Sequence, residues 1–185
     1  SGTEVFATIQ GSDVESPHVY VQCQQMDIDA ALDLDGTDSI SAGADAEVTL
    51  SAATPIPGLD HAVWKMQYDP ANLSVSGVRY LNPLLAPYIT HTVNPDHILF
   101  NLRHLPVPLN VSGPMVGVTF TGKSSPAVSW DTTDIRISAD SVFYNGLGGV
   151  LDLCDGGAHS IFVVPLDTTN PVVNCGKILF TRNRI

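Results

Sequence analysis

The sequence predicts an all-β fold, an antiparallel β-sandwich with jelly-roll topology. Three observations predict it. Short stretches alternate apolar and polar residues, which marks half-buried strands. Turn-forming residues separate them, and no segment keeps a helical apolar period. Nine or more strands at this spacing suit a sandwich.

In chain order, His18 to Cys23 reads as a strand near the start. Ala46 to Ala52 alternates apolar and polar, and so does His61 to Tyr68, where Ala62, Trp64, Met66 and Tyr68 share one face. Strands are also expected at Ile98–Leu102, Met115–Phe120, Ile135–Ile137 with Val142-Phe143, Val150–Leu153, Ser160–Val164 and Ile178–Thr181. Between them lie Pro55-Ile56-Pro57-Gly58, Asp69-Pro70, Asn94-Pro95-Asp96, Ser112-Gly113-Pro114, Asn145-Gly146 and Asp155-Gly156-Gly157. Each reads as a turn, through the fixed φ of proline or the tolerance of Gly and Asn for positive φ. Leu81 to Ile89 has room for one helical turn, limited by Pro83 and Pro87. Trp64 is expected in the core, and Tyr68 beside it, with its hydroxyl seeking a partner at the rim.

The length of 185 residues implies a single domain spanning residues 1–185. Only 15% of residues are charged, and 44% are hydrophobic, which excludes a disordered tail or a coiled coil. Acidic residues outnumber basic ones 19 to 8, for a formal charge of −11, so the cationic footprint of a nucleic-acid binder is missing. No Lys or Arg precedes Lys65, whereas eleven acidic residues lie between Glu4 and Asp60. No apolar run reaches the ~18 residues of a membrane span.

The run from Gly58 to Leu73, GLDHAVWKMQYDPANL, resembles the cohesin signature, in which a strand ends in Tyr-Asp-Pro and an apolar residue opens the next strand. Asn94 to Leu102 is similar to the turn and strand that follow it. Gly113 to Thr121 is similar to the family's Val/Thr-rich strand, and Val142 to Val163 to its closing hairpin. The resemblance covers residues 44–164, leaving an extension at each end. The Tyr-Asp-Pro motif also occurs in family 3 carbohydrate-binding modules. What the resemblance implies is a cohesin-like topology and a non-catalytic, extracellular or cell-surface module that binds a dockerin, a small calcium-loaded helical partner. Carried onto this chain, it nominates Asn72, Ser74 and Ser76 after the Tyr-Asp-Pro turn, with Asn101 and Arg103 in the next matching strand, as partner-binding residues. The alternatives are a carbohydrate-binding module that grips polysaccharide through exposed Trp130 and a row of tyrosines, and a structural surface or adhesin domain.

Other chemistry is sparse. Asp27, Asp29, Asp33, Asp35 and Asp38 form an acidic segment with Gly36, the oxygen-rich composition that calcium favours. An EF-hand register fails there, because Ala31 and Ala42 stand at the first and twelfth places. The other reading is a solvated acidic edge that discourages strand pairing. Cys23, Cys154 and Cys175 contain no CxxC pair; Cys154–Cys175 and Cys23–Cys175 are both possible bridges, and three free thiols are the other reading. Among the six histidines, His61, His91, His97 and His104 have no tight ligand spacing and are expected at strand ends or on the surface. GxSxG and HExxH are absent, and no catalytic residue or required cofactor is assigned.

Overall fold

The structure, a computed structural model, describes residues 29–123, 131–155 and 158–164. The expected strands at 18–23 and 178–181 lie outside these residues. So do Asp27, Cys23, Cys175, Trp130, the Gly156-Gly157 turn and the side chain of Cys154, on which both bridges depend.

The described residues form eleven strands: β1 (Ala30–Gly36), β2 (Ser39–Ser41), β3 (Asp45–Gln67), β4 (Leu73–Tyr80), β5 (Ile89–Val93), β6 (His97–Leu102), β7 (Leu109–Gly122), β8 (Asp131–Ile137), β9 (Val142–Asn145), β10 (Leu153–Asp155) and β11 (Ala158–Val164). Ala86–Tyr88 forms one 3-10 turn, where the sequence leaves room for a helical turn.

The sandwich is organised by β3. Its first half pairs with β1 on one side and β7 on the other, and β4 and β10 extend this layer. Its second half pairs with β6 and β9, touches β8 at Met66 and Gln67, and anchors the other layer. There β5 lies outside β6, and β11 joins β8 to β2.

Pro55 to Gly58, expected as a turn, instead lies within this single bent strand. The proline nitrogens have no hydrogen to donate to a ladder, so the chain bends without reversing. Register shifts at Ala52/Ile56 and Ile56/Leu59 record the bend, and Gly58 supplies a φ of 58°. The Gly58 N–H donates to the Asn110 side-chain carbonyl at 2.8 Å, giving the bend a partner in β7. Ser112-Gly113-Pro114 is likewise no turn. It lies inside β7 at a bulge, with Gly113 at φ 73° opposite Ala52. Among the described strands, pairing is antiparallel apart from two parallel pairs, β1 with β10 and β2 with β11.

Alternation decides the core. Ala46, Val48, Leu50 and Ala52 turn inward from β3, against Val116, Val118 and Phe120 of β7. From the other half of β3, Ala62, Trp64 and Met66 are fully buried. Trp64 stacks on Phe100 at 5.1 Å and on Phe143 at 5.6 Å, so the ring is in the core as its phase predicts. Each buried Val, Leu, Met or Phe among them contributes about 1.5–3 kcal/mol by leaving water. Tyr68 packs at 5.4 Å against Phe120 and closes one end between the layers.

Candidate functional site

Tyr-Asp-Pro builds the β3–β4 turn. Asp69 accepts from the Ala71 N–H through Oδ1 at 2.8 Å and from the Asn72 side-chain amide through Oδ2 at 3.0 Å. The Asn72 carbonyl accepts the Lys123 N–H at 2.8 Å. Asn72 is therefore buried in the turn and holds its shape, where the sequence nominated it as a contact residue. Ser74 and Ser76 follow on β4, and their hydroxyls donate to the carbonyls of Thr121 and Thr119 in β7.

Asn101 and Arg103 lie in the other layer. Asn101 is exposed on β6, and Arg103, also exposed, just beyond it. The five nominated residues thus divide between two sheets, because β4 pairs with β7 while β6 pairs with β3 and β5.

The outward side of the β5–β6–β3–β9 layer has a composition that the sequence did not reveal. Register aligns Thr90, Asn101, Val63 and Val142 in one row across four strands. The next row places Thr92, Leu99 and Lys65 side by side. Their neighbours Ala62, Trp64, Phe100, Leu102 and Phe143 are buried, so strand alternation turns these rows to solvent. Val63 is 38% exposed although it lies in the middle of a sheet, and Leu99 and Val142 are half-buried beside it. Thr90, Thr92, Asn101 and Gln67 are exposed around this small apolar centre. Lys65 pairs with Asp140 at its margin, which holds the Asp140 carboxyl below its usual range.

The histidines do converge at one place. The Asp60 carboxylate accepts from His61 Nδ1 at 2.8 Å and from His104 Nδ1 at 2.5 Å. The His61 bond contributes most to holding the Asp60 carboxyl below its ordinary value. The ladder accounts for the meeting: Ala62 faces Leu102, so two residues further along each strand brings Asp60 opposite His104. His97 instead bonds Asp96 and Asn94, and His91 bonds the Tyr80 hydroxyl.

The described part of the acidic segment does not converge. Asp33 and Asp35 occupy exposed alternate positions of β1, about 7 Å apart along an extended chain. Asp35 caps the Gly36 N–H, and Asp29 accepts the Asp152 N–H. Among the described residues, Asp29, Asp33, Asp35 and Asp38 form no three-ligand group of the kind that Asp60, His61 and His104 make. Strand pairing separates the carboxylates that sequence proximity brings together.

Among the described residues, these aromatic side chains form no exposed flat row. Trp64 is buried, Tyr144 stacks on His61 at 4.3 Å, and Tyr80 packs edge-on against His91. No helix among the described residues is long and apolar enough to cross a membrane.

No protein-family model matches the chain, and no curated protein matches it. Solved structures do. The chain is similar to a type I cohesin–dockerin complex from Clostridium thermocellum at 15% identity and a TM-score of 0.62, covering 77% of this chain and 99% of that one. A cohesin module from a Clostridium perfringens family 33 glycoside hydrolase matches at 14% identity and 0.60, with 75% and 98% covered. A non-cellulosomal cohesin from the archaeon Archaeoglobus fulgidus matches at 12% and 0.56, with 75% and 94% covered. The chain is a cohesin-like β-sandwich in fold.

Proposed function

We propose that this domain is a non-catalytic, extracellular or cell-surface interaction module that docks a dockerin-type partner on the outward β5–β6–β3–β9 face. The observation that carries the reading is the apolar centre of Val63, Leu99 and Val142, ringed by Thr90, Thr92, Asn101 and Gln67. A desolvated apolar anchor inside a hydrogen-bonding rim is the usual anatomy of a protein interface. The rigid sheet beneath it holds these side chains in place before a partner arrives, which lowers the ordering cost of binding. One similar solved structure is a cohesin bound to a dockerin, which supports the choice of partner. The net charge of −11 favours partners that present basic side chains.

On this reading Asn101 and Arg103 contact the partner, while Ser74 and Ser76 lie on the opposite layer and serve as controls. The test is calorimetric titration of the domain with a panel of calcium-loaded dockerins. Val63→Asp places a charge at the centre of the face and is expected to weaken binding at least about 100-fold, the scale of losing a central anchor. Ser76→Ala is expected to leave affinity unchanged. Absence of binding to every dockerin, or binding indifferent to Val63→Asp, contradicts the reading.

A further inference from the structure

We propose that Asp60, His61 and His104 form a binding site for a divalent transition-metal ion of the zinc class. Their ligand atoms, one carboxylate oxygen and two imidazole nitrogens, all lie within 4.8 Å of one another. Two imidazoles and a carboxylate are the donors that zinc, cobalt and nickel take, whereas calcium and magnesium select oxygen alone.

Three features give the group the character of a built site. Both histidines bring Nδ1 to the same carboxylate oxygen, so the three donor atoms are already gathered at one place. Sequence neighbours on a strand normally point to opposite faces. A register shift between Leu59 and His61 interrupts that alternation here and lets Asp60 and His61 meet. The third ligand is held by backbone bonds on both sides. The Arg103 N–H donates to the Tyr88 carbonyl at 3.0 Å, and the Leu105 N–H to the Asp60 carbonyl at 2.9 Å. His104 thus sits between two fixed points, and Leu105 is buried beneath it.

The surroundings suit partial enclosure. The side chain of Asp60 is 14% exposed, His61 24% and His104 75%, so the site is floored by protein and open on one side. Tyr144 stacks flat on His61 at 8°, which fixes the plane of that imidazole. Ligand bonds of about 2.0–2.1 Å in tetrahedral geometry require donor atoms about 3.3 Å apart. The two nitrogen–oxygen distances of 2.8 and 2.5 Å need to open by less than an ångström, through a swing of the exposed His104 ring and a small turn of the Asp60 carboxylate. The ion would replace the two hydrogen bonds at the carboxylate. Three protein ligands leave the fourth position, on the open side, to water.

The site does not depend on the docking reading, and its test uses the domain without any partner. The measurement is titration of the purified chain with zinc alone against a competing chelator, repeated with cobalt for its visible spectrum. One ion per chain is expected at this site, with cobalt showing tetrahedral absorption and no thiolate charge-transfer band. His104→Ala changes an exposed side chain and is expected to lower affinity at least about tenfold, the least that removing a coordinating group should cost. Asp60→Asn should do the same, and His159→Ala, on β11, should change nothing. An affinity equal in the wild type, His104→Ala and Asp60→Asn overturns the proposal, as does a cobalt spectrum dominated by thiolate.

Discussion

The Tyr68 hydroxyl donates to the Asn94 carbonyl at 2.8 Å and ties the end of β3 to the β5–β6 turn. The backbone repeats the link, since the Tyr68 N–H donates to the Asp96 carbonyl at 3.0 Å. One residue therefore ends the central strand, starts the Tyr-Asp-Pro turn and fixes the neighbouring hairpin.

Tyr68→Phe keeps the ring against Phe120 and removes only this bond, so it should cost about 1 kcal/mol at neutral pH. Burial pushes the Tyr68 phenol above its ordinary value, helped by the negative charge of Asp96. The unfolded chain then ionises first, near pH ~10, and stability is lost as pH rises from there through the folded value. Urea melts across this alkaline window should fall less steeply for Tyr68→Phe than for the wild type. Tyr80, also raised by burial, contributes to the slope that remains.

Gly36 tests the assignment of β1. A Cβ there would lie 2.4 Å from the Glu47 carbonyl oxygen and 2.9 Å from the Val48 Cα, both backbone atoms of the paired strand. Gly36→Ala should cost about 1–3 kcal/mol, the scale of overpacking. Gly77→Ala meets only Thr119 at 3.5 Å and should be neutral or mildly stabilising. Equal denaturant midpoints for the two variants would contradict the β1–β3 register.

Phe100 packs on Trp64 with 10° between the ring planes, and both side chains are fully buried. Phe100→Ala should destabilise the domain by about 3–5 kcal/mol. Trp64 emission should move to the red as water gains access, and chemical denaturation followed by fluorescence measures both effects.

Lys65 and Asp140 join β3 to the turn between β8 and β9. The Lys65 bond, with one from Ser138, keeps the Asp140 carboxyl low. Its stabilising contribution is complete above the unfolded value near pH ~4 and is lost as pH falls through the folded one. Asp140→Asn should shallow the acid limb of a melting-temperature profile. Both partners are exposed, so the effect should be small and should shrink in salt.

Much of the fold is legible in single stretches of sequence. The alternation of Ala46 to Ala52 and of His61 to Tyr68 identifies both halves of β3, and Asp69-Pro70 and Asn94-Pro95-Asp96 identify two of its turns. The expected strand at Met115–Phe120 is the core of β7, and Ser160–Val164 lies in β11. Sequence reading fails where one residue type serves two structures. Pro55 to Gly58 and Gly113-Pro114 have turn composition but bulge long strands, because neighbouring strands hold the chain on course. Asp33 and Asp35 hide β1, since their charges mask the inward Ala30 and Leu32. β5 has a single buried residue, Ile89, and so no alternation to read. The candidate sites are less legible still. The row from Thr90 to Val142 and the meeting of Asp60 with His104 exist only through register between strands far apart in the chain. The adjacent Asp60-His61 pair and the strand that leads to His104 are both legible in the sequence, but not the register that sets them against each other.

The most direct test of the docking account is residue-by-residue amide mapping by NMR during titration with a calcium-loaded dockerin. The account predicts that perturbations concentrate at 61–67, 90–92, 97–103 and 142–145, on the outward face of one layer, while amides of β4 and its partners in β7 stay unmoved. Perturbations centred on Leu73–Tyr80 would place the partner on the opposite sheet and contradict it.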